Sequence, residues 1–195
     1  RTLDRARLSR SGVRAGVGLA VTRSDGVQFH DSILLAAHTG IYLVESADSR
    51  FDGLTLQTVS LSPRAHGIQW LRQGDFRLTR STIDGFHVGF ALGGESAGTQ
   101  TRAFNGVQVR HNRIVAADVG VQIGPADGSP YPGHLASVAI GENTIDASAI
   151  GVLVNGATST PAAGGAPPPV AVTHNTIRAR LGVAGYGRHL VFSNN

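Results

Sequence analysis

His87 and Asp118 each stand two residues before a glycine, Gly89 and Gly120, and His38 holds the same place before Gly40. Tyr42, Gln69 and Gln122 stand two residues after Gly40, Gly67 and Gly120. If equivalent positions come side by side, about 4.8 Å apart as neighbouring strands are, His87 meets Asp118, and His38 lies near Tyr42. Arg64 is one residue outside the first of these columns, and Arg72 follows the next strand. Such a set suits proton abstraction beside a sugar carboxylate. An arginine neutralises the carboxylate and acidifies the neighbouring proton, while His or Tyr exchanges protons with the ring. The sequence therefore nominates His38, Tyr42, His87 and Asp118 as catalytic, and Arg64, Gln69, Arg72, Gln122 and Tyr131 as substrate-binding. Tyr131, in the segment SPYPG, is the candidate for stacking on a sugar, with packing onto its own loop as the competing role. The competing role for the whole set is a solvated outer face, which any repeat protein has.

Other polar residues carry weaker signals. His66 falls in a column that otherwise reads Val17, Thr39, Val88, Val119, Ile150 and Leu181. A hydrogen-bonded histidine at the edge of the core is expected there, not an acid or base. A second polar column reads Arg10, Asp31, Thr58, Arg80, His111, Glu142 and His174. Strand spacing spreads its last three members over about 10 Å, so a solvated charge ladder is expected and no metal site. No Asp cluster marks a calcium site. The chain has no Cys and no Lys, which removes disulfides, thiolate zinc sites, thiol nucleophiles and Schiff-base chemistry. No cofactor is expected.

All 17 basic residues are Arg, and the net charge is only +4. Apart from Arg1, Arg5, Arg7, Arg10 and Arg14 they are dispersed, which does not suit nucleic acid but does suit an acidic polymer. With 195 residues, 41% of them hydrophobic, the chain is long enough for one domain over residues 1–195. No apolar run approaches the roughly 18 residues of a membrane span, so no membrane insertion is expected.

What must position the candidate residues is a repeat. Residues 107–123, VQVRHNRIVAADVGVQI, return as VAIGENTIDASAIGVLV (138–154) and VAVTHNTIRARLGVA (170–184), with LVFSNN closing the chain. Taking Ala6, Val27, Leu54, Phe76, Val107, Val138, Val170 and Leu190 as origins, the position five residues on reads Ser11, Ser32, Val59, Ser81, Asn112, Asn143, Asn175 and Asn195. A glycine then recurs at 18, 40, 67, 89, 120, 151 and 182, followed by apolar residues one and three places later. Period-two apolar pairs bounded by Gly and Asn signal strands, three short ones per unit. A unit this small buries its apolar side only by stacking on its neighbours. The asparagines are expected to form an inward ladder and to take the left-handed backbone of a tight corner. Positions one and three after each Gly should face inward; the Gly itself and the residues two before and two after it should face outward.

These repeats resemble those of the right-handed parallel β-helix superfamily of pectate-lyase-like proteins, over nearly the whole chain. The resemblance implies an all-β, single-stranded right-handed parallel β-helix solenoid of about seven coils with an Asn ladder. The superfamily includes polysaccharide lyases, mannuronan C5-epimerases, glycoside hydrolases and accessory proteins of nitrous-oxide reductase maturation. The epimerases' Asp-Pro-His-Asp motif is absent. The implied function is binding and modification of an acidic, uronic-acid polysaccharide, by a lyase or C5-epimerase type of reaction, in the periplasm or outside the cell. Two other classes fit the same pattern: a non-catalytic scaffold or accessory module that binds a protein partner, and a trimeric phage or surface adhesin segment.

Three long connections, 93–106, 124–135 and 155–169, fall at one corner of consecutive units, where they are expected to wall one side of the stack. The uncovered ends suggest a fragment of a longer solenoid, continued by further coils of the same protein or covered by a capping chain.

Overall fold

The structure, a computed structural model, describes residues 2–4, 7–9, 16–60, 62–71, 75–93, 104–124, 135–157, 170–187 and 190–195. The chain is all-β, and every strand pairing among these residues is parallel. One sheet has eight strands: β1 (Thr2–Asp4), β4 (Gln28–His30), β7 (Ser49–Asp52), β10 (Phe76–Thr79), β12 (Phe104–Arg110), β14 (Leu135–Gly141), β17 (Val170–Thr173) and β20 (Leu190–Ser193), in that spatial order. The other has twelve and two limbs. The first limb is β2 (Arg7–Ser9), β5 (Ile33–Ala36), β8 (Thr55–Thr58), β11 (Thr82–Leu92), β13 (Arg113–Ile123), β15 (Thr144–Ala147) and β18 (Thr176–Arg178). The second is β3 (Val17–Thr22), β6 (Thr39–Val44), β9 (His66–Leu71), the later halves of β11 and β13, then β16 (Ile150–Ala157) and β19 (Leu181–Gly187). No helix is long and apolar enough to cross a membrane among the described residues.

The pairing puts like residues on like, as period-two patterning requires. Phe29, Phe51, Leu78, Val109, Ile140 and Val172 stand in register along the eight-stranded sheet. Leu34, Leu56, Ile83, Ile114 and Ile145 do so along the first limb. Ile41, Ile68, Phe90, Val121 and Val152 do so along the second. All of these are essentially solvent-free and belong to one core. Trp70 lies inward as expected, stacked on Phe76 with ring centroids 5.0 Å apart.

The asparagine stack is a continuous hydrogen-bonded ladder. Asn112 Nδ2 donates to Asn143 Oδ1 (3.0 Å), Asn143 Nδ2 to Asn175 Oδ1 (2.9 Å), and Asn175 Nδ2 to Asn195 Oδ1 (2.9 Å). Each Nδ2 also donates to a carbonyl of the preceding repeat, at Leu78, Val109 and Ile140. Ser81 continues the row more weakly, accepting from the Leu54 N–H at 3.0 Å. The left-handed backbone, however, is not on the asparagines. It falls one residue earlier, on Asp31, Arg80, His111, Glu142, His174 and Asn194, each with φ between 44° and 58°. The asparagine is there for its amide.

Two origins shift. Ser49, not Leu54, pairs with Phe76, so the third repeat places Leu54 in the ladder row; Val59 lies outside it and is exposed. In the first repeat Leu3 pairs with Phe29 and Leu8 with Leu34, so Ala6 is not its origin. The third repeat's extra residues therefore sit between Leu56 and Gly67, between β8 and β9. The insertions are not all at one corner, and the wall expected from 93–106, 124–135 and 155–169 lies mostly outside the described residues.

The repeating glycines do not face outward either. A Cβ at Gly120 would lie 2.6 Å from the Gly151 carbonyl oxygen and collide with the γ2 methyl of Ile145 in the next repeat. The same close approach recurs at Gly67, Gly89 and Gly151, whereas Gly182 has nothing within 4 Å. Gly120→Ala is accordingly expected to lower stability by about 2–3 kcal/mol, from forced backbone separation. Gly182→Ala should stay within about 0.5 kcal/mol of the parent. Urea midpoints at unchanged slope check the pair.

Candidate functional site

The outer face of the second limb carries three parallel rows. Thr39, His66, Val88, Val119, Ile150 and Leu181 form one, in register from strand to strand. Tyr42, Gln69, Ala91, Gln122 and Leu153 form another. His38, Ala65, His87, Asp118 and Ala149 run along the edge where the limb begins.

The register breaks where His87 stands. Asp84 pairs with Val115, Phe86 with Ala116, and Val88 with Val119. Gly85, at φ 81°, is the additional residue on β11. Ala117 and Asp118 then oppose His87 alone on β13. Two compensating bulges thus re-aim side chains without disturbing the core rows, as bulges beside functional sites do. The outcome is a contact between His87 Nε2 and Asp118 Oδ2 at 3.4 Å. The side chains are 33% and 41% exposed, so the pair is reachable by a ligand.

A groove of about 640 Å³ lies over this pair. Arg64, Gln69, His87, Asp118 and Gln122, five of the nominated residues, line it together. Arg64 arrives on the longer connection between β8 and β9. His66 Nδ1 is 3.0 Å from the Arg64 carbonyl oxygen, so the buried histidine ties that segment down. The core-edge role expected for His66 fits this bond, but its place in the groove wall was not anticipated. Gln122 is buried, and its Nε2 donates to the Gly124 carbonyl at 3.1 Å, which orients the amide.

His38 and Tyr42 are not among the groove's lining residues. His38 is exposed and its Nδ1 is 3.0 Å from Thr39 Oγ1; Tyr42 stands opposite Gln69 in its row. Three units separate His38 from Asp118 along the stack, and the groove begins beyond it. Arg72 and Tyr131 lie outside the described residues.

The floor went unread in the sequence. Val88, Ala91 and Val119 form a small buried cluster, distinct from the main core, with Ile150 and Leu153 packed against it. The recurrence of Val88, Val119 and Ile150 one residue before each glycine was the available signal. By its place in the pattern that column belongs to the edge of the core, whereas these members line the groove.

In the corner column Gly53 takes the place expected for Thr58, which ends β8, and Arg10 lies outside the described residues; the later members carry ion pairs. His111 Nε2 is 3.2 Å from Glu142 Oε2, and Arg110 reaches Glu142 at 3.5 Å. Arg80 pairs with Asp52, and this hydrogen bond above all, helped by Thr79, holds the Asp52 carboxyl below the ordinary carboxylate range. No group of three His, Cys, Asp or Glu side chains able to hold a metal occurs among the described residues.

Comparison with protein-family models, with curated proteins and with solved structures gives no significant match for this chain.

Proposed function

We propose that the chain winds as a right-handed parallel β-helix of about seven coils, of the pectate-lyase-like kind, and that its groove binds an acidic polysaccharide and acts on it. Parallel pairing of equivalent strands from repeat to repeat supports the winding. A crossover between parallel strands is right-handed in about 98% of cases. The function rests on one observation above the others: His87 and Asp118 are brought into contact across a pair of bulges, in a groove that Arg64 also lines.

With Nε2 turned to Asp118, the His87 ring is held in a fixed orientation. Nδ1 is then the nitrogen that takes the C5 proton of a bound uronate. The electron pair moves onto the carboxylate, where Arg64 stabilises the added charge. The intermediate has two exits. If the C4–O bond breaks, a C4=C5 double bond forms and His87 returns its proton to the leaving oxygen, which is β-elimination. If the proton is returned to C5 from the opposite face, by a donor in the groove or by solvent, the product is the C5 epimer. The proposed setting is the periplasm or the cell exterior, where such polymers occur.

Calorimetric titration with an oligouronate tests the binding. Arg64→Ala should weaken it about tenfold or more, the loss expected for a charged hydrogen bond, and a neutral oligosaccharide of equal length should bind poorly to both proteins. Equal uronate affinity in parent and variant would overturn the role of Arg64.

A further inference from the structure

The groove is chemically two-ended along the stack. Arg64, Gln69 and His87 occupy one end and Ile150 and Leu153 the other, with Asp118 and Val119 on the strand between them. The apolar row continues past the groove to Leu181, which pairs with Ile150 and is 51% exposed. No Trp, Tyr or Phe is among the described residues that line the groove. A bare uronan suits that far end poorly. Its hydroxyls would lie over branched aliphatic side chains that offer no hydrogen bond, and an unpaired hydroxyl is costly to desolvate.

We infer that the groove takes a uronan carrying small O-acyl esters, with a free carboxylate at the Arg64 end and an acyl methyl seated on Ile150 and Leu153. This inference rests on the groove being a saccharide site. Esterification removes the hydroxyl donor that the aliphatic surface cannot satisfy and adds a methyl group that it can bury. The ester carbonyl needs a donor nearby. Gln122 lies next to Leu153 in its row and commits one Nε2 hydrogen to the Gly124 carbonyl, which leaves its second hydrogen for that acceptor. The spacing agrees with one ligand spanning both ends: from the Arg64 repeat to the Leu153 repeat is three strand steps, or about 14 Å.

The test compares a de-esterified alginate oligomer with the same oligomer after chemical O-acetylation, titrated into the full chain. The acetylated form should bind about tenfold more tightly. Leu153→Gln and Ile150→Thr should bring that ratio close to one. Gln already stands in the Leu153 row at Gln69 and Gln122, and Thr stands in the Ile150 row at Thr39, so both variants suit the strand; circular dichroism verifies their fold. Equal or weaker binding of the acetylated oligomer overturns the inference while leaving the saccharide groove in place. A preference that survives both substitutions also overturns it, because the acyl group then sits elsewhere. Binding of neither oligomer overturns the groove's proposed function, and this inference with it.

Discussion

Replacing His87 with Ala should lower turnover of a uronan by about 10²–10⁴, the range removed with a positioned acid–base group, while thermal stability stays put. The separation of the two effects follows from exposure. His87 and Asp118 are one-third and two-fifths exposed at 3.4 Å, and such a pair contributes about 0–1 kcal/mol to folding. A solvated outer pair with no function would lose neither turnover nor stability. Asp118→Asn separates positioning from chemistry: it keeps the side chain's shape beside the ring while removing its charge, and should cost less than His87→Ala. Initial rates of unsaturated-end formation or of deuterium uptake, with melting curves on the same preparations, give both readouts. A His87→Ala protein that turns over at the parent rate would contradict the assignment.

Asn143→Ala should cost about 4 kcal/mol of stability, against a total of roughly 5–15 for a domain. Asn143 accepts from both the backbone N–H and the Nδ2 of Asn112, and donates to Asn175 Oδ1 and the Val109 carbonyl. Truncation leaves several of these partners unsatisfied inside the protein, at about 1–3 kcal/mol each, and Asn143 itself is only 1% exposed. Ser81→Ala, at the end of the row, removes one acceptor and one donor and should cost about 1 kcal/mol. The ordering of the two denaturant midpoints is the check; a loss at Asn143 no larger than at Ser81 would mean that the amide stack does not hold the corner.

The repeat was legible because apolar residues at period two announce strands, and because Asn112, Asn143 and Asn175 recur where the unit turns. The third repeat misled for a physical reason. Leu54 and Leu56 alternate just as Val107 and Val109 do, while the true origin, Ser49, is polar and gives no apolar signal. Once Ser49 is aligned with Phe76, the added length moves to the segment carrying Arg64, and the groove gains its cation. His87 and Asp118 were legible as neighbours from their places before Gly89 and Gly120. The bulges that bring them together were not, since Gly85 and Ala117 leave no mark in a column count. The apolar floor was hidden by the same alternation that revealed the core: Val88 and Val119, one residue before Gly89 and Gly120, look inward by pattern, yet they lie in a cluster of their own apart from the main core.

Incubation of the folded protein with a panel of polyuronates in deuterated water, followed by mass and proton spectra of the chains, tests the central claim most directly. One uronan should accumulate unsaturated ends or deuterium at C5, and neutral glycans should accumulate neither. Unchanged spectra for every uronan, from protein whose fold has been verified, would contradict the proposed chemistry at His87 and Asp118.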